Sequence, residues 1–122
     1  MNKEIMAQEI ESLIRTLDFI QEEQTFIKRK LSDFLDQMVL NDALAWAEVL
    51  HQEILNRETA IQLLKGDISK LKSMLKKRTI NNEVEPENVV LFKKYKQQVG
   101  YIESEFITWK HLANEQFEAT PN

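Results

Sequence analysis

The chain has 122 residues, of which 43% are hydrophobic and 30% are charged, and its formal net charge is −4. This length leaves room for one domain with a modest core, and the presence of only two glycines and two prolines argues against collagenous and disordered classes. Because there is no cysteine, a disulfide framework, a thiolate zinc site and a thiol nucleophile are all excluded.

A first helix is predicted from about residue 3 to residue 39. Its apolar positions alternate steps of four and three residues, the spacing that keeps one seam of a long helix against a partner helix. The pattern fails at Asn41, because a continued seam would bury Asn41 and then Glu48, and we expect the chain to turn there. The seam positions are Met6, Ile10, Leu13, Leu17, Ile20, Gln24, Ile27, Leu31, Phe34 and Met38.

A second helix is predicted over residues 42–78, with Asn41 and Asp42 as suitable caps. Its last turn would carry three basic residues, which complement the negative end of the helix dipole. The seam positions are Ala43, Ala47, Leu50, Ile54, Arg57, Ile61, Leu64, Ile68, Leu71 and Leu75.

A polar connection over residues 79–85 leads to a third helix, which Pro86 is suited to begin and which is expected to end near residue 118. Its seam is Phe92, Tyr95, Val99, Ile102, Phe106, Trp109 and Ala113. The short connections make neighbouring helices antiparallel, so residues 1–122 are predicted to form one all-α domain, an antiparallel three-helix bundle with long, coiled-coil-like helices. In architecture this layout resembles spectrin-type repeats, a likeness that implies no function.

The alignment of the first two helices follows from the position of the turn. Folding the chain about the junction between residues 40 and 41 places every seam position opposite another seam position, and Gln24 meets Arg57. Registers offset by seven residues would also match the apolar positions, but only this one pairs the two polar interruptions. Folding the third helix back then places Trp109 near Ile54.

Gln24 and Arg57 therefore form a predicted polar core layer. The favoured interpretation is a register lock, because mispairing would bury either side chain against hydrocarbon. We expect Glu23 and Glu58 to supply counter-charge and the stem of Arg57 to lie along Phe106. The alternative is an anion bound by Arg57, which is disfavoured because a binding pocket needs several convergent polar groups.

A second apolar stripe falls outside the seams, on faces that a plain three-helix bundle leaves in water. Large apolar side chains repeated on one face mark a contact, either within a wider intramolecular core or between chains. We favour a homodimer, because two-fold homodimers are the commonest soluble oligomers. The residues are Ile5, Phe19, Phe26 and Leu40 on the first helix and Val49, Leu55 and Leu63 on the second.

A basic end is predicted where the second and third helices meet. The same folding places Glu9 opposite Lys72 and Glu11 opposite Lys70, so much of this charge should be neutralised. The negative net charge also disfavours a nucleic-acid binder. The basic patch comprises Lys70, Lys72, Lys76, Lys77, Arg78, Lys93, Lys94 and Lys96.

No motif predicts catalysis or a cofactor. Glu48 and His51 match one Glu-x-x-His element of di-iron bundles, but that pattern needs two copies and two further inward glutamates, and Glu48 lies on the outer face. The seam pattern predicts that His111 is also on an outer face. We therefore expect no metal site and no enzymatic activity.

The N-terminal segment lacks the apolar block of a signal peptide, and no run approaches a membrane span, so we expect a cytoplasmic protein. The favoured function is a non-catalytic helical interaction or assembly module that self-associates through the outer stripe and presents its remaining surface to a protein partner. The alternative is a binder of an anionic partner or nucleic acid through the basic end.

Overall fold

The computed structural model describes residues 1–37, 41–76 and 81–119, with the backbone alone at residues 41–44. These residues form three helices that pack against one another, α1 (Lys3–Gln37), α2 (Asn41–Leu75) and α3 (Pro86–Ala119), which confirms the predicted all-α three-helix bundle. None of the described helices is both long and apolar enough to cross a membrane. Of the sequence-predicted positions, Met38, Leu40, Lys77 and Arg78 lie outside the described residues.

The end of α2 differs from the prediction. The helix ends at Leu75, and the backbone N–H of Lys76 donates to the carbonyl of Ser73 at 3.2 Å. This bond to the third residue back tightens the final turn and satisfies a carbonyl that has no partner within the helix. Lys72 is therefore the basic residue of the last described turn, and Lys76 follows the helix.

The core consists of the predicted seams wherever their side chains are described. Within them, Leu13, Arg57, Tyr95 and Ile102 are half-buried, because they stand at the edges of the helix contacts. Phe117 and the loop residue Val84 add to the core beyond the prediction. The buried apolar side chains are Met6, Ile10, Leu17, Ile20, Ile27, Leu31, Phe34, Ala47, Leu50, Ile54, Ile61, Leu64, Ile68, Leu71, Leu75, Val84, Phe92, Val99, Phe106, Trp109, Ala113 and Phe117.

Among the described residues three ion pairs join α1 to α2; two of them fit the predicted alignment with an offset of two residues, whereas Lys28–Glu58 is offset by five. Lys72 pairs with Glu11 and Lys65 pairs with Asp18, each two residues away from the opposite position given by the fold at residues 40 and 41. The prediction that Lys70 faces Glu11 is thus wrong by half a turn. Helical side chains lean towards the N-terminus of their own helix. A long lysine of α2 therefore reaches a partner that lies closer to the N-terminus of α2 than the lysine's own Cα atom does.

The loop before α3 is fastened to the start of α1. The backbone N–H of Lys3 donates to the carbonyl of Asn82, and that of Val84 donates to the carbonyl of Met1, both at 2.9 Å. The side-chain oxygen of Asn2 caps α1 by accepting from the backbone N–H two residues on, at 2.7 Å. The described part of the predicted polar connection, residues 81–85, is therefore bonded to the N-terminal end of α1.

We expect Val84→Ala to lower the free energy of unfolding by about 2 kcal/mol, because it removes buried methyl groups and leaves a cavity. Val90, which is exposed on α3, provides the matched control, and Val90→Ala is expected to change stability by about 0.5 kcal/mol or less. Urea denaturation measures both. Equal effects of the two substitutions would contradict the structural role assigned to this loop.

Candidate functional site

Gln24 lies at mid-height in the bundle and is almost completely buried, with 1% of its surface exposed. Neither its amide nitrogen nor its amide oxygen has a hydrogen-bond partner within the described structure. A buried polar group without a partner costs about 1–3 kcal/mol. A hydrogen-bond partner for either amide atom would therefore stabilise the fold.

Arg57 is half-buried and lies on Trp109, with its guanidinium carbon 4.9 Å from the ring centroid. The indole N–H of Trp109 in turn donates to Glu53 at 2.7 Å. The sequence predicted that the stem of Arg57 would lie along Phe106; the contact that the structure shows is made by the guanidinium group, with Trp109, three residues further along α3. The difference follows from the lean of the arginine towards the N-terminus of α2, which is the level of Trp109.

The predicted counter-charges of Arg57 have other partners. Glu23 pairs with Lys110 and Glu58 pairs with Lys28, both at 3.1 Å. Both carboxylates stand on the flanks of their helices, where each faces a lysine of a neighbouring helix. Arg57 consequently forms no ion pair with any described carboxylate within 4.0 Å.

A cavity of about 280 Å³ joins these polar residues between α2 and α3. It shares Ala60 and Ile102 with a more apolar cleft of about 630 Å³, in which Leu63 and Tyr101 are exposed walls. The sequence analysis did not identify Glu53 and Glu105 as residues of a site. The small residue Ala60, which lies beside the seam near Arg57, indicates a gap between the helices at this position. The cavity is lined by Gln24, Glu53, Asn56, Arg57, Ala60, Ile61, Ile102 and Glu105.

The outer stripe remains exposed in the single chain. Phe19 and Ile107 line one groove between α1 and α3, and Phe26 is exposed further along α1. Three further members of the stripe, Ile5, Val49 and Leu63, are also exposed, and Leu55 is half-buried. The exposed members are therefore not buried in a wider core within one chain. The contribution of α3 was missed, because its exposed apolar residues do not repeat every seven positions. They are Val90, Tyr101, Ile107 and Leu112.

The basic end is partly neutralised. Lys72 pairs with Glu11, and its hydrogen bond and charge lower the pKa of that carboxyl group. Lys96, rather than Lys72, reaches Glu9, at 3.2 Å. The exposed lysines of the predicted patch are Lys70, Lys76, Lys93, Lys94 and Lys96, and among described residues Lys70, Lys93 and Lys94 form no ion pair.

Glu48 and His51 are exposed on α2. Within the part of the chain that the structure describes, no three histidine, aspartate or glutamate side chains are grouped so that they could hold a metal ion. His111 pairs with Glu115 on the surface of α3 at 3.1 Å.

The geometry provides two features able to recognise another molecule: a polar cavity at mid-height, and an exposed apolar groove between α1 and α3. Comparison of the chain with family models, with curated proteins and with solved structures finds no match.

Proposed function

We propose that this protein is a non-catalytic helical assembly module that pairs with a second copy through the α1–α3 face, defined by Phe19, Phe26 and Ile107. The proposal rests on the exposure of these three side chains to water: Phe19 is 58% exposed, Phe26 is 62% exposed and Ile107 is 65% exposed. Large apolar side chains exposed together mark an interaction surface, because water contact with them is unfavourable.

The polar surroundings of this face support the proposal. Two ion pairs join α1 to α3, one between Glu9 and Lys96 and the other between Glu23 and Lys110. Phe19 lies between them along α1, so apolar side chains are bordered by charged ones. An apolar centre with a polar rim is the usual anatomy of a protein interface, and a two-fold axis would bring the same face of two copies together.

Introducing negative charge into the face tests this function. The double variant Phe19→Glu, Phe26→Glu is expected to have half the solution mass of the parent dimer, because four carboxylates would be buried at the interface. Light scattering measures the mass, and circular dichroism checks that the helices persist.

The matched control replaces two exposed apolar residues that belong neither to this face nor to the outer stripe, Val90→Glu and Tyr101→Glu. This variant is expected to keep the mass of the parent. Dissociation of both double variants to the same extent would contradict the location of the interface.

A second candidate function is the binding of an anionic partner or nucleic acid at the basic end. The exposed Lys70, Lys93 and Lys94 favour it, because no described carboxylate neutralises them within ion-pair distance. If the basic end binds nucleic acid, retention of the protein on DNA would fall steeply with added salt.

We also propose a cytoplasmic location, on the basis of the cysteine-free composition.

A further inference from the structure

The mid-height cavity contains polar groups whose interactions are incomplete. Among the described residues, no hydrogen-bond partner is present for either amide atom of the buried Gln24, and the Arg57 guanidinium has a ring beneath it but no paired carboxylate. Beside these groups α2 presents the small side chain of Ala60 to the cavity.

The charges around the cavity restrict what it could bind. Among the described residues that line it, Arg57 is the one cation, while Glu53 and Glu105 are carboxylates. A simple anion would gain from Arg57 but would face two negative charges. A simple cation would be attracted by the two carboxylates but repelled by Arg57. The lining is therefore suited to a molecule that carries one positive and one negative charge a short distance apart.

We propose that this cavity binds a free α-amino acid with an apolar side chain. Its carboxylate accepts hydrogen bonds from the Arg57 guanidinium and from Nε2 of Gln24. Its ammonium group donates to Oε1 of Gln24 and to the Glu105 carboxylate. These contacts give both orphan atoms of Gln24 a partner, and all four are charge-assisted.

The size and surroundings of the cavity set the side-chain preference. A volume of 280 Å³ corresponds to about nine water molecules at roughly 30 Å³ each, which is enough for an amino acid the size of leucine. The apolar cleft shares Ala60 and Ile102 with the cavity, so an aliphatic side chain extends into it. Asn56 and Glu105 are exposed at the mouth of the cavity, and Arg57 is half-buried.

Titration of the ¹⁵N-labelled protein with L-leucine tests the site. The side-chain amide signals of Gln24 are expected to shift and to saturate. Glycine is expected to bind about ten- to a hundred-fold more weakly, because it lacks the aliphatic side chain. Two analogues keep that side chain but have one charge each: 4-methylpentanoate has only the carboxylate and isopentylamine only the ammonium group. Each is expected to bind at least about tenfold more weakly than leucine.

Variants separate this site from general effects on folding. Gln24→Leu and Arg57→Gln are expected to abolish leucine binding, measured by calorimetry, while circular dichroism shows retained helices. Arg29→Gln, at an exposed arginine of α1, is expected to bind leucine as the parent does.

Three results would overturn the proposal: no saturable shift with leucine, equal binding of either single-charge analogue, or unchanged binding by Gln24→Leu. The first would indicate a cavity that holds water alone. The site is independent of the proposed self-association, so Phe19→Glu, Phe26→Glu should still bind leucine, and either proposal can fail without the other.

Discussion

Replacing Gln24 with leucine is expected to raise the free energy of unfolding by about 2 kcal/mol. The substitution removes two buried polar atoms that have no partner, each of which costs about 1–3 kcal/mol, and it keeps a side chain of similar size in the seam. Urea denaturation of the parent and the variant measures the change. The exposed Gln62 provides the control, and Gln62→Leu is expected to change stability by about 0.5 kcal/mol or less.

A loss of stability in Gln24→Leu would contradict the unpartnered state of this amide. The double variant Gln24→Leu, Arg57→Leu separates stability from specificity. If the polar layer acts as a register lock, this variant is expected to unfold at higher temperature while its oligomeric state becomes heterogeneous. A large fall in its stability would refute the lock.

Trp109→Ala is expected to lower the free energy of unfolding by about 4 kcal/mol, because it removes a large buried side chain from the contact between α2 and α3. Trp109→Phe retains most of this packing and loses the hydrogen bond to Glu53, so its expected cost is about 1 kcal/mol. Chemical denaturation again provides the measurement. Equal losses in the two variants would show that the hydrogen bond, and not the packing, determines the role of Trp109.

The fold was predictable because the seven-residue spacing is a direct consequence of helix geometry. Each described apolar residue of the α1 seam is buried or half-buried, and the break in phase at Asn41 coincides with the start of α2. The exposure of Phe19 and Phe26 was also implied by the same spacing, since both lie off the seam.

The chemistry of the polar layer was less predictable, because it depends on the direction and reach of long side chains. Folding the chain at the turn predicts which Cα atoms of neighbouring helices lie at the same height. The long side chains of Arg57 and Lys72 instead contact residues about half a turn to one turn away from that height. The cavity itself was missed for a related reason. It depends on a small residue, Ala60, next to Glu53 and Glu105 on the flanks of two helices, and flanking positions carry no periodic signal.

The solution mass of the unmodified chain, measured by light scattering over a range of concentrations, tests the proposed assembly function most directly. The expected result is twice the chain mass of 14.4 kDa, with dissociation only on dilution. A mass of 14.4 kDa at every concentration would contradict self-association through the α1–α3 face.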